Sequence, residues 1–178
     1  MRGQEVEALP EADSYYYEAD PIYDFFEACQ ATWVGSTIQE SLWLFPVIES
    51  FHLVTFAILG GCVLLVDLRI LGLVMKNQTL RELADSARPW LTGSLIATII
   101  SGVLLFMSEA VKCYYNDPFW AKMRFLGLAI LFTFTVRNRI IGDTELRAGP
   151  LFSKIVAVLS ILLWSGVAWG GRWIGFWG

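Results

Sequence analysis

Four long apolar blocks restrict this chain to folds that cross a membrane. They cover residues 42–66, 90–107, 119–136 and 151–175. Each is close to the ~20 helical residues that span a hydrocarbon core, where backbone polar groups must be satisfied within the segment. Charged residues make up only 17% of the chain, below the roughly 25% typical of soluble domains. The sequence therefore predicts an all-α fold, a polytopic membrane four-helix bundle over residues 39–178.

The residues before the first block divide into two parts. Residues 1–20 are rich in acidic side chains and predict a partly disordered N-terminal extension, whose charge argues against nucleic-acid binding. Residues 21–38 are too short and too polar to cross a membrane, and they place Phe25, Phe26 and Trp33 near one face. This pattern predicts a single N-terminal interfacial amphipathic helix on the outer leaflet.

The basic residues predict how the bundle is oriented. Eight of them flank one side of the four blocks and five flank the other. Under the positive-inside rule the first side is cytoplasmic. The expected location is therefore a bacterial inner membrane, crossed four times, with both termini periplasmic.

Two local patterns lie on the predicted cytoplasmic side. Residues 78–89 are expected to form a separate short helix that Pro89 ends. Asp67 and Arg69 are too close in sequence to face each other on a helix, so each is expected to pair with another element.

The single histidine, His52, lies inside the first apolar block with Glu49 three residues before it. Ionisable side chains at such positions are costly unless they are paired, hydrated or bound to a ligand. The predicted topology places Glu109, at the end of the second block, and Lys122, near the start of the third, in the same outer half. Glu49, His52, Glu109 and Lys122 are therefore predicted to form a polar cluster.

Several roles for His52 remain open at this point. It is a candidate axial ligand of a tetrapyrrole, heme b or bacteriochlorophyll. A bis-histidine heme site would need a second subunit, because the chain has one histidine. With Glu49 and Glu109 it could bind a metal ion, with Glu49 alone it could relay protons, or it could only fix helix geometry.

The cysteines and the absence of enzyme motifs complete the functional expectations. Cys29 and Cys113 fall on the same predicted outer side, so a disulfide between them could form in an oxidising compartment.

Motifs of nucleotide-binding, hydrolase and histidine-pair metal enzymes are absent from the sequence.

The leading hypothesis is a non-catalytic subunit of a larger membrane complex, of the electron-transfer or photosynthetic kind. Its expected partners are the lipid bilayer and other membrane-protein subunits, with a homodimer as a further option. The alternatives are a small b-type cytochrome or other tetrapyrrole carrier that uses His52, and a metal-binding or proton-relay protein.

The region around His52 also resembles a known family. The spacing of Pro46, Glu49 and His52, the VDLR sequence at 66–69, and the series Glu109, Asn116, Phe119, Lys122 are similar to a bacterial family of small four-helix membrane proteins, known only as a domain of unknown function (6644). The resemblance implies the four-helix fold over about residues 25–175 and supports the polar cluster, but it implies no activity. Relatives are expected to carry another histidine near the end of the third helix, where this chain has VRNR at 136–139.

Overall fold

The computed structural model describes residues 20–137 and 149–176, and within these ranges the chain is helical without strands. The helices are α1 (Pro21–Gln30), α2 (Trp33–Glu40), α3 (Leu44–Ile70), α4 (Leu80–Ser108), α5 (Ala110–Tyr114), α6 (Asp117–Phe132) and α7 (Pro150–Ile174). A π-helical turn, Thr133–Arg137, extends α6. Helices α3, α4, α6 with its extension, and α7 are long and apolar enough to cross a membrane. The predicted all-α, polytopic four-helix fold is confirmed.

The bundle consists of two antiparallel pairs, α3 with α4 and α6 with α7, joined mainly by contacts between α3 and α7. All four helices contribute to one apolar core: Leu59, Val63, Leu91, Leu95, Ala129, Trp164 and Val167. Glycines permit the close approach of α6 and α7, since a Cβ on Gly166 would lie 2.7 Å from the Phe125 ring. Helices α4 and α6 barely touch, which leaves a crevice between them.

The segment predicted as one amphipathic helix over 21–38 forms two helices instead. The chain breaks after Gln30, where Thr32 takes an extended conformation and accepts a hydrogen bond from the Gly35 amide. The same Thr32 hydroxyl donates to the Cys29 carbonyl at the end of α1. One threonine thus ends the first helix and caps the second.

Helices α1, α2 and α5 cover one end of the bundle, hereafter the capped end. Phe26 is buried there in an aromatic cluster with Phe106, Phe119 and Trp120. The Gln30 side chain accepts a 2.8 Å hydrogen bond from the Val111 amide. The amphipathic segment therefore docks on the protein, while exposed aromatics such as Trp33, 80% exposed, remain available to the bilayer interface.

A second difference concerns the residues after the first span. The expected separate helix over 78–89 is the first part of α4, which runs without interruption through Pro89. Thr79 and Glu82 form a reciprocal capping box that starts this helix. Pro89 removes only the hydrogen bond to the Asp85 carbonyl, and both residues are exposed, so water can replace that bond.

Candidate functional site

His52 lies at the contact between α3 and α4. Its Nδ1 is 2.9 Å from the Ser101 hydroxyl oxygen. One helical turn further along α3, the Thr98 hydroxyl donates to Thr55, and Thr55 donates to the His52 carbonyl. These bonds form a polar seam, His52–Ser101 and Thr55–Thr98, that fixes the register of the two helices.

The hydrogen bonds of Ser101 determine which histidine nitrogen carries the proton. The Ser101 hydroxyl donates its single hydrogen to the Ala97 carbonyl at 2.7 Å. It therefore accepts from His52, so Nδ1 carries the hydrogen and Nε2 presents a lone pair. The Thr98 backbone also interacts with the His52 ring. A Cβ on Gly102 would lie 3.1 Å from the His52 ring, so glycine is what admits the imidazole against α4.

Lys122 is the second predicted residue that faces the interior. A Cβ on Gly170 would lie 3.0 Å from the Lys122 Cβ, so the lysine stem packs directly on α7. Its ammonium interacts electrostatically with His52 and Cys113. It has no hydrogen-bond or ion-pair partner in the part of the chain that the structure describes.

The two predicted carboxylates lie elsewhere. Glu49 is exposed on the outer surface of α3 and has no partner among the described residues. Glu109, at the junction of α4 and α5, forms a 3.4 Å ion pair with Lys112. The structure therefore brings His52 and Lys122 near each other and does not assemble the four-residue cluster.

This separation bears on the proposed metal site. A set made of His52, Glu49 and Glu109 would require three side chains to converge on one point. Across residues 20–137 and 149–176 no three histidine, cysteine, aspartate or glutamate side chains do so. His52 is left as a single potential ligand.

Cys29 and Cys113 are free thiols in the structure, although both belong to the aromatic cluster at the capped end. Burial raises the pKa of the Cys113 thiol to about 11, and the nearby Glu109 carboxylate adds to this effect. A thiol with so high a pKa forms little thiolate and reacts slowly. The disulfide between these residues stays a prediction.

A buried ion pair, Asp67–Arg137, lies at the other end of the bundle. Arg137 Nε donates to Asp67 Oδ1 at 2.7 Å, and the two side chains are 3% and 0% exposed. The Arg137 guanidinium also donates to the Val63 carbonyl at 3.2 Å. The expected pairing of Asp67 with another element is confirmed, and its partner, which the sequence did not identify, is the last residue of the π-helical turn.

Two further hydroxyls lie near this pair. Trp164 donates from its indole nitrogen to the Thr133 hydroxyl at 3.2 Å, which links α7 to the π-helical turn. The Ser160 hydroxyl lies near the Asp67 carboxylate. Asp67 Oδ2 and Ser160 Oγ are buried without hydrogen-bond partners within the described ranges. This group adds polar contacts between α3, α6 and α7 to those of the apolar core.

The chain was compared with protein families, curated proteins and solved structures. No curated protein and no solved structure matched it. One family model, described as a family of unknown function (DUF6644), matches residues 22–177. This range includes every described span and both polar groups, so the chain belongs to this family of unknown function.

Proposed function

We propose that this protein is a non-catalytic subunit of a larger membrane complex. The observation that supports it is Glu49, whose carboxylate is exposed on α3 without a partner among the described residues. Glu49 is the sixth residue of α3, about 7.5 Å along the axis from the first. Pro46 and Leu53, which lie one turn before and one turn after it on the same face of α3, are apolar and exposed. A carboxylate in such surroundings is costly in lipid and favourable beside a donor from another protein.

Arg124 supplies the matching charge for a second copy of the chain. It is exposed on α6, of which it is the eighth residue, in the same half of the bundle as Glu49. Its long side chain can reach the membrane surface, whereas the shorter Glu49 reaches less far. The proposed complex is therefore inferred from Glu49. Because Arg124 could pair with the Glu49 of a second copy, self-association is the first kind of complex to test.

The proposed location is a bacterial inner membrane with the capped end periplasmic. Among the described residues, the capped end has four basic side chains, Lys112, Lys122, Arg124 and Arg172. The opposite end has six: Arg69, Lys76, Arg81, Arg88, Arg137 and Lys154. This difference favours the opposite end as cytoplasmic.

Glu49→Gln is expected to weaken association with the partner subunit by roughly tenfold or more, since a buried charge pair at an interface contributes more than ~1.4 kcal/mol. Native mass spectrometry in mild detergent would measure the ratio of complex to free chain. Glu40→Gln is the matched control, because Glu40 is exposed at the end of α2, outside the spans. An equal ratio of complex to free chain in Glu49→Gln and Glu40→Gln would reject the proposal.

A charge exchange identifies the partner. If two copies associate through this pair, Glu49→Arg and Arg124→Glu each disrupt the oligomer, and the double variant restores it. If a different protein provides the donor, the double variant remains dissociated from that protein. A wild-type chain that stays monomeric and co-purifies with no membrane protein would contradict both self-association and association with a different subunit.

A tetrapyrrole site at His52 is the second candidate, and the tautomer supports it. Nδ1 donates to Ser101, so Nε2, which carries the lone pair, is the atom that would bind the central metal of the tetrapyrrole. Lys122 offers a positive charge nearby for an acidic substituent of such a ring. The single histidine fits five-coordinate binding, or six-coordinate binding with a ligand from a partner.

Protein purified from cells with an ample tetrapyrrole supply is expected to show a Soret band that His52→Ala abolishes. Ser94→Ala is the matched control, because Ser94 is a buried serine of α4 that bonds only within its own helix. It should leave the band unchanged. A colourless wild-type protein would exclude this candidate while leaving the subunit proposal intact.

A further inference from the structure

A cavity of about 270 Å³ lies in the crevice between α4 and the end of α6, at the end of the bundle opposite the capped end. Three arginines line it, Arg81 and Arg88 from α4 and Arg137 from the π-helical turn. Of the described residues, Asp85 is the single acidic one in the lining. The cavity therefore combines positive charge with a position at the ends of the spanning helices.

The arginines differ in how far their charge is already compensated. Arg137 is bound to buried Asp67, and Arg81 forms a long, exposed ion pair of 3.9 Å with Asp85. Arg88 is exposed and has no hydrogen-bond or ion-pair partner in the described part of the chain. Among residues 20–137 and 149–176, one full positive charge at the cavity is thus without a counter-ion.

The deeper part of the lining combines two threonines, Thr92 and Thr133, with three apolar side chains. Val66, Leu91 and Phe134 come from α3, α4 and the π-helical turn respectively. Arg81 and Leu91 are ten residues apart on α4, which corresponds to about 15 Å along the axis. The cavity therefore passes from a cationic part at the helix ends to a part within the span that combines apolar side chains with two hydroxyls, a gradient that suits a lipid better than a small soluble anion.

We propose that this cavity binds one acidic membrane phospholipid. Arg88, supported by Arg81, binds the phosphate through charge-assisted hydrogen bonds. An acyl chain lies over Leu91 and Phe134, in the space where α4 and α6 do not meet. Basic pockets between spanning helices at a cytoplasmic surface bind anionic head groups in this way.

The test uses the whole protein in nanodiscs or detergent, with phosphatidylglycerol as the probe and phosphatidylcholine as the zwitterionic reference. Native mass spectrometry is expected to show one retained phosphatidylglycerol per chain and weaker retention of phosphatidylcholine. Arg88→Gln should weaken phosphatidylglycerol binding by roughly tenfold, the loss of one charge-assisted hydrogen bond. Arg88 is exposed, so the variant should fold normally, and an unchanged melting temperature would verify this.

Lys154→Gln is the matched control, because Lys154 is an exposed cation at the same end of the bundle, on α7 and outside the cavity lining. It should leave phosphatidylglycerol binding unchanged. Equal losses in the two variants would mean diffuse attraction to the bilayer and would overturn the proposal. Displacement of phosphatidylglycerol by millimolar inorganic phosphate would also overturn it, since it would show a site for a free anion.

Discussion

Arg137→Met is expected to lower the free energy of unfolding by about 3–5 kcal/mol, the usual cost of breaking a buried ion pair from one side. The substitution leaves the Asp67 carboxylate, 0% exposed, without its 2.7 Å partner. It also removes the donor to the Val63 carbonyl. In a membrane interior little water can replace either interaction. Equilibrium unfolding in detergent micelles would measure the change.

Two further variants show whether the loss comes from the unpaired charge. The double variant Asp67→Leu with Arg137→Met removes both charges and should recover most of the lost stability. Arg81→Met breaks the exposed pair with Asp85, and it should cost less than about 1 kcal/mol. A double variant that is no more stable than Arg137→Met alone would show that packing, and not charge, explains the effect.

The sequence indicated that Asp67 needs a partner but not which one. Arg137 lies 70 residues away, and residues 133–137 form a π-helical turn. Such a turn inserts an extra residue into the helical repeat and rotates the residues after it relative to a regular helix. A regular α-helix continued from α6 would therefore point the Arg137 side chain in a different direction. The local backbone, which hydropathy does not report, directs the guanidinium to Asp67.

Hydropathy predicted the spanning helices well, because their length and composition are imposed by the bilayer. It could not predict which way single polar side chains point. Glu49 and His52 are three residues apart, which separates them by about 60° around a helix. That angle is enough to place His52 against Ser101 on α4 and Glu49 on the outer surface.

Glu109 illustrates a different limit of the sequence. It lies at the end of α4, where its backbone leaves the helical conformation, φ −132° and ψ 34°. The break starts α5, and this new helix brings Lys112 within 3.4 Å of Glu109. A short local ion pair thus replaces the longer-range cluster that topology alone suggested.

Gly35→Ala is expected to displace α1 and α2 from the capped end. A Cβ at this position would lie 2.6 Å from the Met107 carbonyl oxygen and 2.7 Å from that of Gln30. Both atoms belong to the backbone, of α4 for Met107 and of α1 for Gln30, so relief of the clash requires α2 to move away from both helices. Overpacking of this kind costs about 1–3 kcal/mol, and the displacement also strains the hydrogen bond between Gln30 and Val111. Thermal unfolding would measure the destabilisation.

Hydrogen exchange would show which helices Gly35→Ala displaces. Amides of residues 21–40 should exchange faster in Gly35→Ala, while those of α3 and α7 keep their protection. Gly127→Ala is the matched control, since a Cβ on Gly127 meets no atom within 4 Å and α6 continues through it. Alanine there should be neutral or stabilising by at most about 1 kcal/mol. Unchanged exchange over residues 21–40 would contradict the close contact of Gly35 with the backbones of α4 and α1.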